Sequence, residues 1–261
     1  MKHPRIPDHA SEPPDCRNDA PRNDPADFGL IEAFLRRATI EDCELVPWGS
    51  NYTFAVLLND PAGEHEESLG IYKPVAGEVP LWDFPSDTLY HREYSAYLVS
   101  RALGWHFIPP TIIREGPHGT GSVQQYIEPE EEAHYFSFRD EHRDDLERIA
   151  LFDIITNNAD RKAGHTLRGL QDGRIWGIDH GLTFNVEPKL RTVIWDFQLE
   201  PIRPELRSDI QRVAADEDLA RTLSEHLTRN EVRAFQIRAR HLAREGVYPP
   251  LMSRRSIPWG W

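Results

Sequence analysis

Two aspartates, each in a polar stretch that follows a run with regular apolar periodicity, are the residues best suited to chemistry in this sequence. Asp160 lies in the polar segment 157–164, after a run with helical spacing, and Asp179 follows a short apolar run and directly precedes His180 and Gly181. Phosphoryl transfer needs one carboxylate near the acceptor hydroxyl and a second that holds Mg2+ on the phosphates, each presented from a loop. The order and placement of the two aspartates therefore predict a phosphotransferase site.

The segments around these aspartates also resemble motifs of a known family. The pair Asp160 and Arg161, followed by the run Ile-Asp-His-Gly-Leu at 178–182, resembles the catalytic and metal-binding motifs of phosphatidylinositol 3- and 4-kinase-like enzymes and is similar to HipA-type kinases. The resemblance spans residues 45–245. It implies an α+β, two-lobed protein-kinase-like fold (PI3/PI4-kinase-like) with a small β-rich N-lobe and a mainly helical C-lobe. It further implies that Asp160 and Arg161 belong to the catalytic loop and that Asp179 binds the metal.

Upstream segments fit the same scheme. Lys73 lies where the family has its phosphate-binding strand lysine, and Glu93 lies on the next predicted helix, where the ion-pair partner of that lysine belongs. Gly49 and Ser50 occupy the position of the turn that covers the phosphates, although a single glycine makes this motif weak. The resemblance therefore implies that these four residues contact the nucleotide.

The segment 124–127 takes the position of the hinge between the lobes, whose backbone binds adenine in the family. Gln125, Tyr126 and Ile127 are the hinge residues that the resemblance implies. The implied cofactors are ATP and Mg2+, with Mn2+ as a possible substitute.

One residue departs from the family pattern. The family places Asn five residues after the catalytic Asp, as a second metal ligand, and this sequence has His165 there. Imidazole is a poorer ligand than an amide oxygen for a hard cation such as Mg2+. His165 is therefore expected to contact a phosphate, to favour Mn2+, or to mark a weak or altered activity.

The segment 185–197, beyond Asp179, takes the position of an activation loop, which would recognise the acceptor. Lys189 and Arg191 are basic residues there that could contact an anionic substrate. The sequence leaves open whether the hydroxyl acceptor is a protein, a small molecule or a lipid headgroup.

Two other functions compete with an active kinase. The chain could be a pseudokinase, which is a nucleotide-binding interaction module whose chemistry has lapsed at His165. Alternatively, His165, Asp179 and His180 could be ligands of a hydrolytic metal centre, although their spacing does not complete a zinc-site pattern. Taken singly, each aspartate is more simply explained as a helix cap or a turn residue.

The residues before position 128 are predicted to form mainly short strands, with two helices. Short β-type runs at 52–58 and 68–73 predict a hairpin, a helix is predicted over 86–103 and ends before Gly104, and further short strands are predicted at 109–113 and 122–127. An acidic loop is expected over 128–138. The N-lobe is accordingly predicted to span residues 28–127, beginning with a helix at 28–38.

The remainder, 128–261, is predicted to form the C-lobe. Apolar residues at helical spacing lead into the loop that holds Asp160, a strand pair is expected at 165–167 and 174–178, and Thr228 with Glu231 has the form of a capping box at the start of a helix. Residues 1–27 are rich in proline and poor in large apolar side chains, so a disordered tail is expected there.

The composition limits the function classes. A formal charge of −13 disfavours binding to nucleic acid or to anionic lipid. Only Cys16 and Cys43 are present, and no apolar run approaches the length of a membrane span, so a cytoplasmic protein without a transmembrane segment is expected. Trp259 and Trp261 near the C-terminus could form an interfacial anchor, but they are expected to fold back onto the domain.

Overall fold

The computed structural model describes residues 24–47, 51–251 and 253–259. The described part begins with a helix and a β-sheet and continues into a mostly helical region. The α-helices are α1 (Phe28–Arg37), α2 (Leu89–Leu103), α3 (Tyr135–Phe138), α4 (Arg143–Thr156), α5 (Pro204–Ala215), α6 (Glu217–Leu223) and α7 (Arg229–Glu245). The strands are β1 (Thr39–Leu45), β2 (Phe54–Asn59), β3 (Ser68–Pro74), β4 (Thr111–Gly116), β5 (Gly119–Gln125), β6 (Pro129–His134), β7 (Thr166–Gly169) and β8 (Ile175–Gly177).

The larger sheet has the order β1-β2-β3-β5-β4, and every pair of neighbours is antiparallel. Side chains on one face, among them Val56, Tyr72 and Val123, are completely buried, and α1 and α2 both contact β4 and β5. Because successive side chains of a strand point to opposite faces, Lys73 projects from the face opposite Tyr72. Residue pairing places Lys73 across from Ser122 of β5.

Helix ends position the segments that hold the candidate residues. Helix α2 is capped at its C-terminus by Gly104, which adopts a left-handed conformation with φ of 75°, and α4 is capped by Asn157, also left-handed with φ of 56°. Glycine and asparagine are the residues that most readily adopt this conformation after a helix. The chain therefore leaves α4 abruptly and enters the loop that contains Asp160.

The C-terminal region packs around two long helices. Helix α7 begins with the capping box expected from the sequence, in which the Thr228 side chain accepts from the Glu231 N–H and the Glu231 side chain accepts from the Thr228 N–H. It packs against α4 and α5. The smaller sheet has the order β6-β7-β8, and Asp179 lies two residues after the end of β8.

The structure differs from the sequence predictions in several elements. Residues 128–138 were expected to be a loop but form β6 and α3, because the strand pairs with β7 and its Glu130 carboxylate binds Arg168. Strand β1 was not predicted, and α2 begins at Leu89 rather than at 86, since Thr88 is its N-cap. Residues Pro25–Asp27 form a 3-10 turn capped by Asp24, although the tail was expected to extend to residue 27.

Other expectations concern positions that the structure leaves undescribed. The predicted tail as far as residue 23, together with Gly49 and Ser50, lies outside the described residues. The expected boundary between 127 and 128 falls between β5 and β6. Trp259 was expected to fold back onto the domain but is 90% exposed, and Trp261 lies outside the described residues. Among the helices of the described ranges, none has the length and apolar character that crossing a bilayer requires.

Candidate active site

Three segments that are far apart in the sequence meet at Lys73. The Nζ of Lys73, on β3, forms an ion pair with Glu93 of α2 and lies 2.9 Å from Oδ1 of Asp179, which follows β8. The Glu93 side chain is only 4% exposed, whereas that of Asp179 is 48% exposed. Lys73 thus lies between the buried carboxylate of Glu93 and the solvent-accessible carboxylate of Asp179.

The charges of this cluster stabilise one another. Burial on its own lowers the pKa of Lys73, but the carboxylates of Asp179 and Glu93 outweigh it, so the pKa lies above its ordinary value. The Lys73 ammonium in turn holds the pKa of Asp179 well below its usual range. Burial raises the pKa of Glu93, and Lys73 opposes that effect. Asp179 is therefore an ionised carboxylate that is available to a cation.

The backbone at Asp179 is locally strained. Asp179 has a φ of 59°, in the left-handed region that non-glycine residues adopt infrequently. The next residue, His180, donates its backbone N–H to Oε2 of Glu93 at 2.9 Å. Glu93 therefore binds Lys73 with one oxygen and the Asp179 loop with the other, which fixes the strained turn against α2.

Asp160 lies in a loop that is shaped by the asparagines before it. Its N–H donates to Oδ1 of Asn158 at 3.0 Å, and its carboxylate lies 2.9 Å from Nζ of Lys162. Lys162 was not singled out from the sequence, although its position two residues after Asp160 was a signal that could have found it. The loop therefore presents a carboxylate and an ammonium together.

Arg161 is completely buried, so its side chain does not face the open cleft. The guanidinium forms an ion pair with Asp153, which is also completely buried, at 3.0 Å. It also donates to the backbone oxygens of His165 and Ile178, each at 3.0 Å, and lies 2.6 Å from Nε2 of His180. Arg161 thus connects the loop of Asp160 with the strand that leads to Asp179.

His165 bridges the two candidate loops. Its Nδ1 lies 2.9 Å from the backbone oxygen of Asp160, and its Nε2 lies 3.4 Å from Oδ2 of Asp179. A carbonyl only accepts hydrogen bonds, so Nδ1 is the donor in the first contact, which is shorter than the 3.5 Å contact with the Lys162 N–H. Burial lowers the pKa of His165, although Asp179 opposes this. The neutral ring therefore directs its Nε2 lone pair toward a carboxylate.

Two electron-pair donors that face each other at this distance suit a cation. Asp179 and His165 are the residues that could hold it, and the imidazole nitrogen in this N,O pair suits Mg2+ less well than Mn2+. His180 does not join them, since its imidazole is buried against Arg161. No group of three or more His, Cys, Asp or Glu side chains suited to a metal is found in the described ranges.

The expected hinge lies at the end of β5. The N–H of Gln125 donates to the backbone oxygen of Pro110, and the N–H of Tyr126 donates to that of Leu69. Both backbone N–H groups therefore donate hydrogen bonds within the protein and are not available to bind adenine. Gln125 is three residues beyond Ser122, the partner of Lys73, which corresponds to about 10 Å along the strand.

The segment after Asp179 is fastened to the Asp160 loop through Asn157. The Asn157 amide donates to the backbone oxygens of Asn185 and Glu187 at 2.9 and 2.7 Å and accepts from the Lys189 N–H at 2.8 Å. The Lys189 ammonium forms an ion pair with Asp83 at 2.9 Å. Lys189 is therefore neutralised within the chain, although it was expected to contact an anionic substrate.

Arg191 has a different placement from Lys189. Its N–H donates to the backbone oxygen of Asn158, and its backbone oxygen accepts from the Arg161 N–H. These contacts flank Asp160 on both sides, and the Arg191 side chain is exposed. Arg191 is thus the basic residue of this segment that lies beside Asp160 and faces solvent.

No protein-family model matches the chain. The chain is 40% identical over 229 residues to Protein Rv2133c of Mycobacterium tuberculosis (strain ATCC 25618 / H37Rv), which covers 72% of this chain and 81% of that protein.

Two solved structures share the architecture. The Golgi casein kinase with Mn/ADP bound has a TM-score of 0.53 at 13% identity and covers 85% of this chain and 75% of that chain. The hydra Fam20 with sugar has a TM-score of 0.54, also at 13% identity, and covers 89% of both chains. The chain therefore has a kinase-like fold, which is a broader statement than the phosphatidylinositol kinase fold implied by the motifs.

Proposed function

The chain belongs to the same family as Protein Rv2133c, and we propose that it is an ATP-dependent phosphotransferase that transfers the γ-phosphate to a hydroxyl group. The observation that supports this most directly is the cluster in which Lys73 binds both Glu93 and Asp179. A strand lysine, a helix glutamate and a loop aspartate in this order, on a kinase-like fold, are the charges that kinases use to hold nucleotide phosphates.

Lys73 and Glu93 are assigned to the phosphates of the nucleotide. Lys73 would bind the phosphate oxygens, and Glu93 would keep its ammonium in place. Because the Gln125 and Tyr126 amides are engaged in the sheet, the backbone of Ile127 is the part of the hinge that we assign to adenine. Gly49 and Ser50 remain assigned to the covering turn on the strength of the sequence motif alone.

Asp179 and His165 are assigned to the metal. A divalent cation, when bound, neutralises the negative charge of the phosphates. Mg2+ and Mn2+ are both candidates, and the Golgi casein kinase structure with Mn/ADP bound supports a divalent cation and a nucleotide as ligands. The Nε2 lone pair of His165 and the ionised carboxylate of Asp179 would hold the ion between the two loops.

Asp160 is assigned to the acceptor hydroxyl. Its carboxylate would orient the hydroxyl and accept its proton, while Lys162, 2.9 Å away, would offer a positive charge to the transferred phosphate. Arg161 is assigned a positioning role, because it is buried and holds both loops. Arg191, exposed beside Asp160, would meet an acceptor that has an anionic group.

The proposed acceptor is the hydroxyl of a protein or of a small molecule. The phosphatidylinositol kinase motifs favour a lipid headgroup, but the formal charge of −13 opposes approach to an anionic membrane, so a protein or small-molecule hydroxyl is preferred. We likewise propose a cytoplasmic location, because the chain has only two cysteines.

A pseudokinase is the second candidate, and His165 is the observation that favours it. Imidazole in place of an amide oxygen weakens a Mg2+ site, so the cleft could bind nucleotide without turnover. Stabilisation of the protein by ATP without phosphate transfer, insensitive to Asp160→Asn but lost in Lys73→Ala, would select this alternative.

Nucleotide binding and turnover of the purified full chain test the proposal. ATP is titrated by calorimetry without metal, with Mg2+ and with Mn2+, and release or transfer of labelled γ-phosphate is followed in the same samples. We expect metal-dependent binding together with phosphate transfer. Absence of ATP binding under all three conditions would contradict both the kinase and the pseudokinase.

A further inference from the structure

Arg92 is a buried cation in the cleft-facing helix that the chemistry proposed above does not use. It precedes Glu93 in α2, and its side chain is only 1% exposed. Burial of a guanidinium is unfavourable unless its donors are satisfied by well-placed acceptors. Its contacts therefore show what the residue is built to hold.

The Arg92 guanidinium reaches three different parts of the chain. Its Nη1 donates to the backbone oxygen of Thr183 at 2.7 Å, in the loop that begins at Asp179. Its Nη2 forms an ion pair with Glu231 in the first turn of α7. The guanidinium also lies over the Phe84 ring, 5.0 Å from its centroid, in the segment before α2.

Two consecutive residues of α2 thus hold the same loop at two points. Glu93 accepts from the His180 N–H at 2.9 Å, and Arg92 donates to the Thr183 oxygen at 2.7 Å. The loop closes on itself through a hydrogen bond of 2.7 Å from the Thr183 hydroxyl to the His180 oxygen. The turn 180–183, which directly follows Asp179, is therefore fixed to α2 at both of its ends.

The second nitrogen of the Arg92 guanidinium, Nη2, binds a carboxylate that is itself held in place. Glu231 is the capping-box residue of α7, so its carboxylate also binds the N–H and hydroxyl of Thr228 at 2.8 Å. Burial raises the pKa of Glu231, but Arg92 and Thr228 outweigh it and lower the pKa below its ordinary value. The helix N-terminus further favours a negative charge here. Arg92 is thus tied to the C-terminal helices as well as to the loop.

We propose that Arg92 is a positioning residue that links α2, the Asp179 loop and α7, so that the Lys73, Glu93 and Asp179 cluster is assembled before any ligand binds. The catalytic consequence of this inference depends on the proposed function. The inference also predicts that no covalent modification of the segment 185–197 is needed to bring Glu93 to Lys73, because Arg92 already joins α2 to α7 through Glu231.

A purely structural ion pair would behave differently from a positioning residue. Losing the former lowers stability everywhere, whereas losing the latter releases the Asp179 loop selectively and weakens metal-dependent nucleotide binding. The two cases are separated by hydrogen exchange of the loop amides and by nucleotide affinity, both measured well below the melting temperature of each variant.

The experiment compares Arg92→Met with a matched control, Arg37→Met. Arg37 forms a bidentate pair with the buried carboxylate of Asp60 in the sheet region, away from the Asp179 loop. A milder variant, Glu231→Gln, removes the charge that Arg92 binds but preserves a capping-box side chain. It provides a test even if Arg92→Met fails to fold.

In Arg92→Met we expect amide exchange over 180–184 to accelerate about tenfold or more, and the affinity for ADP with Mn2+ to fall about tenfold. Glu231→Gln should shift both quantities in the same direction by a smaller factor, and Arg37→Met should shift neither. Equal loop exchange in the Arg92→Met and Arg37→Met proteins would overturn the inference.

The two proposals fail separately. Hydrogen exchange is measured on the ligand-free protein, so it judges the role of Arg92 even if no nucleotide binds. Nucleotide binding absent from the wild type, together with accelerated loop exchange in Arg92→Met, would reject the phosphotransferase while retaining Arg92 as the residue that holds the loop.

Discussion

The imidazole Nε2 of His165 lies 3.4 Å from the carboxylate Oδ2 of Asp179. The other ring nitrogen donates to a backbone oxygen, so the nitrogen that faces Asp179 is an acceptor in the neutral ring. Two acceptors at this separation are stabilised when a cation binds to both. We therefore expect His165, which replaces the family's asparagine, to act as a metal ligand in the proposed site, and nitrogen ligation shifts preference from Mg2+ toward transition metals such as Mn2+.

Replacing this imidazole should change the choice of metal. In His165→Asn we expect the ratio of ADP affinities with Mn2+ and with Mg2+ to fall about tenfold, because an amide oxygen suits Mg2+ better than imidazole does. Calorimetric titrations with each metal give the ratio directly. Wild type and variant with the same metal profile would remove His165 from the metal site.

The ion pair between Lys73 and Glu93 should show strong energetic coupling. In Lys73→Met the buried Glu93 carboxylate loses its cation, and we expect a loss of about 3 kcal/mol in the free energy of unfolding. Adding Glu93→Leu to this variant should recover part of the loss, since the unpaired charge is removed. Urea denaturation of the two single variants and the double variant completes the cycle. Strictly additive losses would show that the two side chains do not stabilise each other.

Substitution of Arg161 should lower the free energy of unfolding, whereas substitution of Arg191 should not. Arg161→Lys keeps the charge but loses the planar fork that binds Asp153, His165 and Ile178, so we expect a loss of about 2 kcal/mol in the free energy of unfolding. Arg191→Lys, at an exposed side chain, should change it by less than about 0.5 kcal/mol. Comparable stability of the two variants in urea would contradict the role assigned to Arg161.

A histidine pair between α2 and the loop before α7 should make stability depend on pH. Nδ1 of His91 lies 3.1 Å from Nδ1 of His226, and burial lowers the pKa of both below the ordinary value of 6.5. The unfolded chain therefore binds protons at pH values where the folded pair does not. The stabilisation is complete above pH 6.5 and declines as the pH falls through the lowered folded-state values.

The melting temperature of the wild type should accordingly decrease between pH 7 and pH 5, and His226→Gln should reduce that decrease. His241→Gln is the control, because His241 is an exposed residue of α7. Buried histidines elsewhere, such as His180, contribute to the remaining slope. A His226→Gln protein with the wild-type slope would show that the pair does not titrate with folding.

The sequence predicts those parts of the fold that local rules determine. The capping box of Thr228 and Glu231 and the left-handed Gly104 after α2 are short-range signals, and the structure contains both. The kinase-like fold implied by the motifs around Asp160 and Asp179 is confirmed in its broad form. The structure also brings Lys73 into contact with both Glu93 and Asp179.

Elements that depend on distant partners were missed. Strand β1 reads Thr-Ile-Glu-Asp-Cys-Glu-Leu, which has few residues that favour strands, and it forms because it pairs with β2 at the edge of the sheet. Strand β6 is acidic and is stabilised by Arg168 on the neighbouring strand. In both, pairing between strands overrides the preference of the residues.

The supporting residues of the site were the least predictable. Arg92 and Glu231 are separated by 139 positions, and no local pattern marks them as partners. Arg161 looked catalytic because it adjoins Asp160, yet its side chain points into the interior. A motif identifies residue types along the chain, whereas the direction of a side chain follows from packing.

The central claim is that Asp160 and Asp179 have different roles in one phosphotransferase site, and a paired measurement on Asp160→Asn and Asp179→Asn tests it most directly. Binding of ADP with Mn2+ and turnover of labelled ATP are measured on both proteins and on the wild type. Asp160→Asn should retain metal-dependent binding and lose at least about 100-fold in turnover, whereas Asp179→Asn should lose both. Turnover at the wild-type rate in Asp160→Asn, or unchanged metal-dependent binding in Asp179→Asn, would contradict the account.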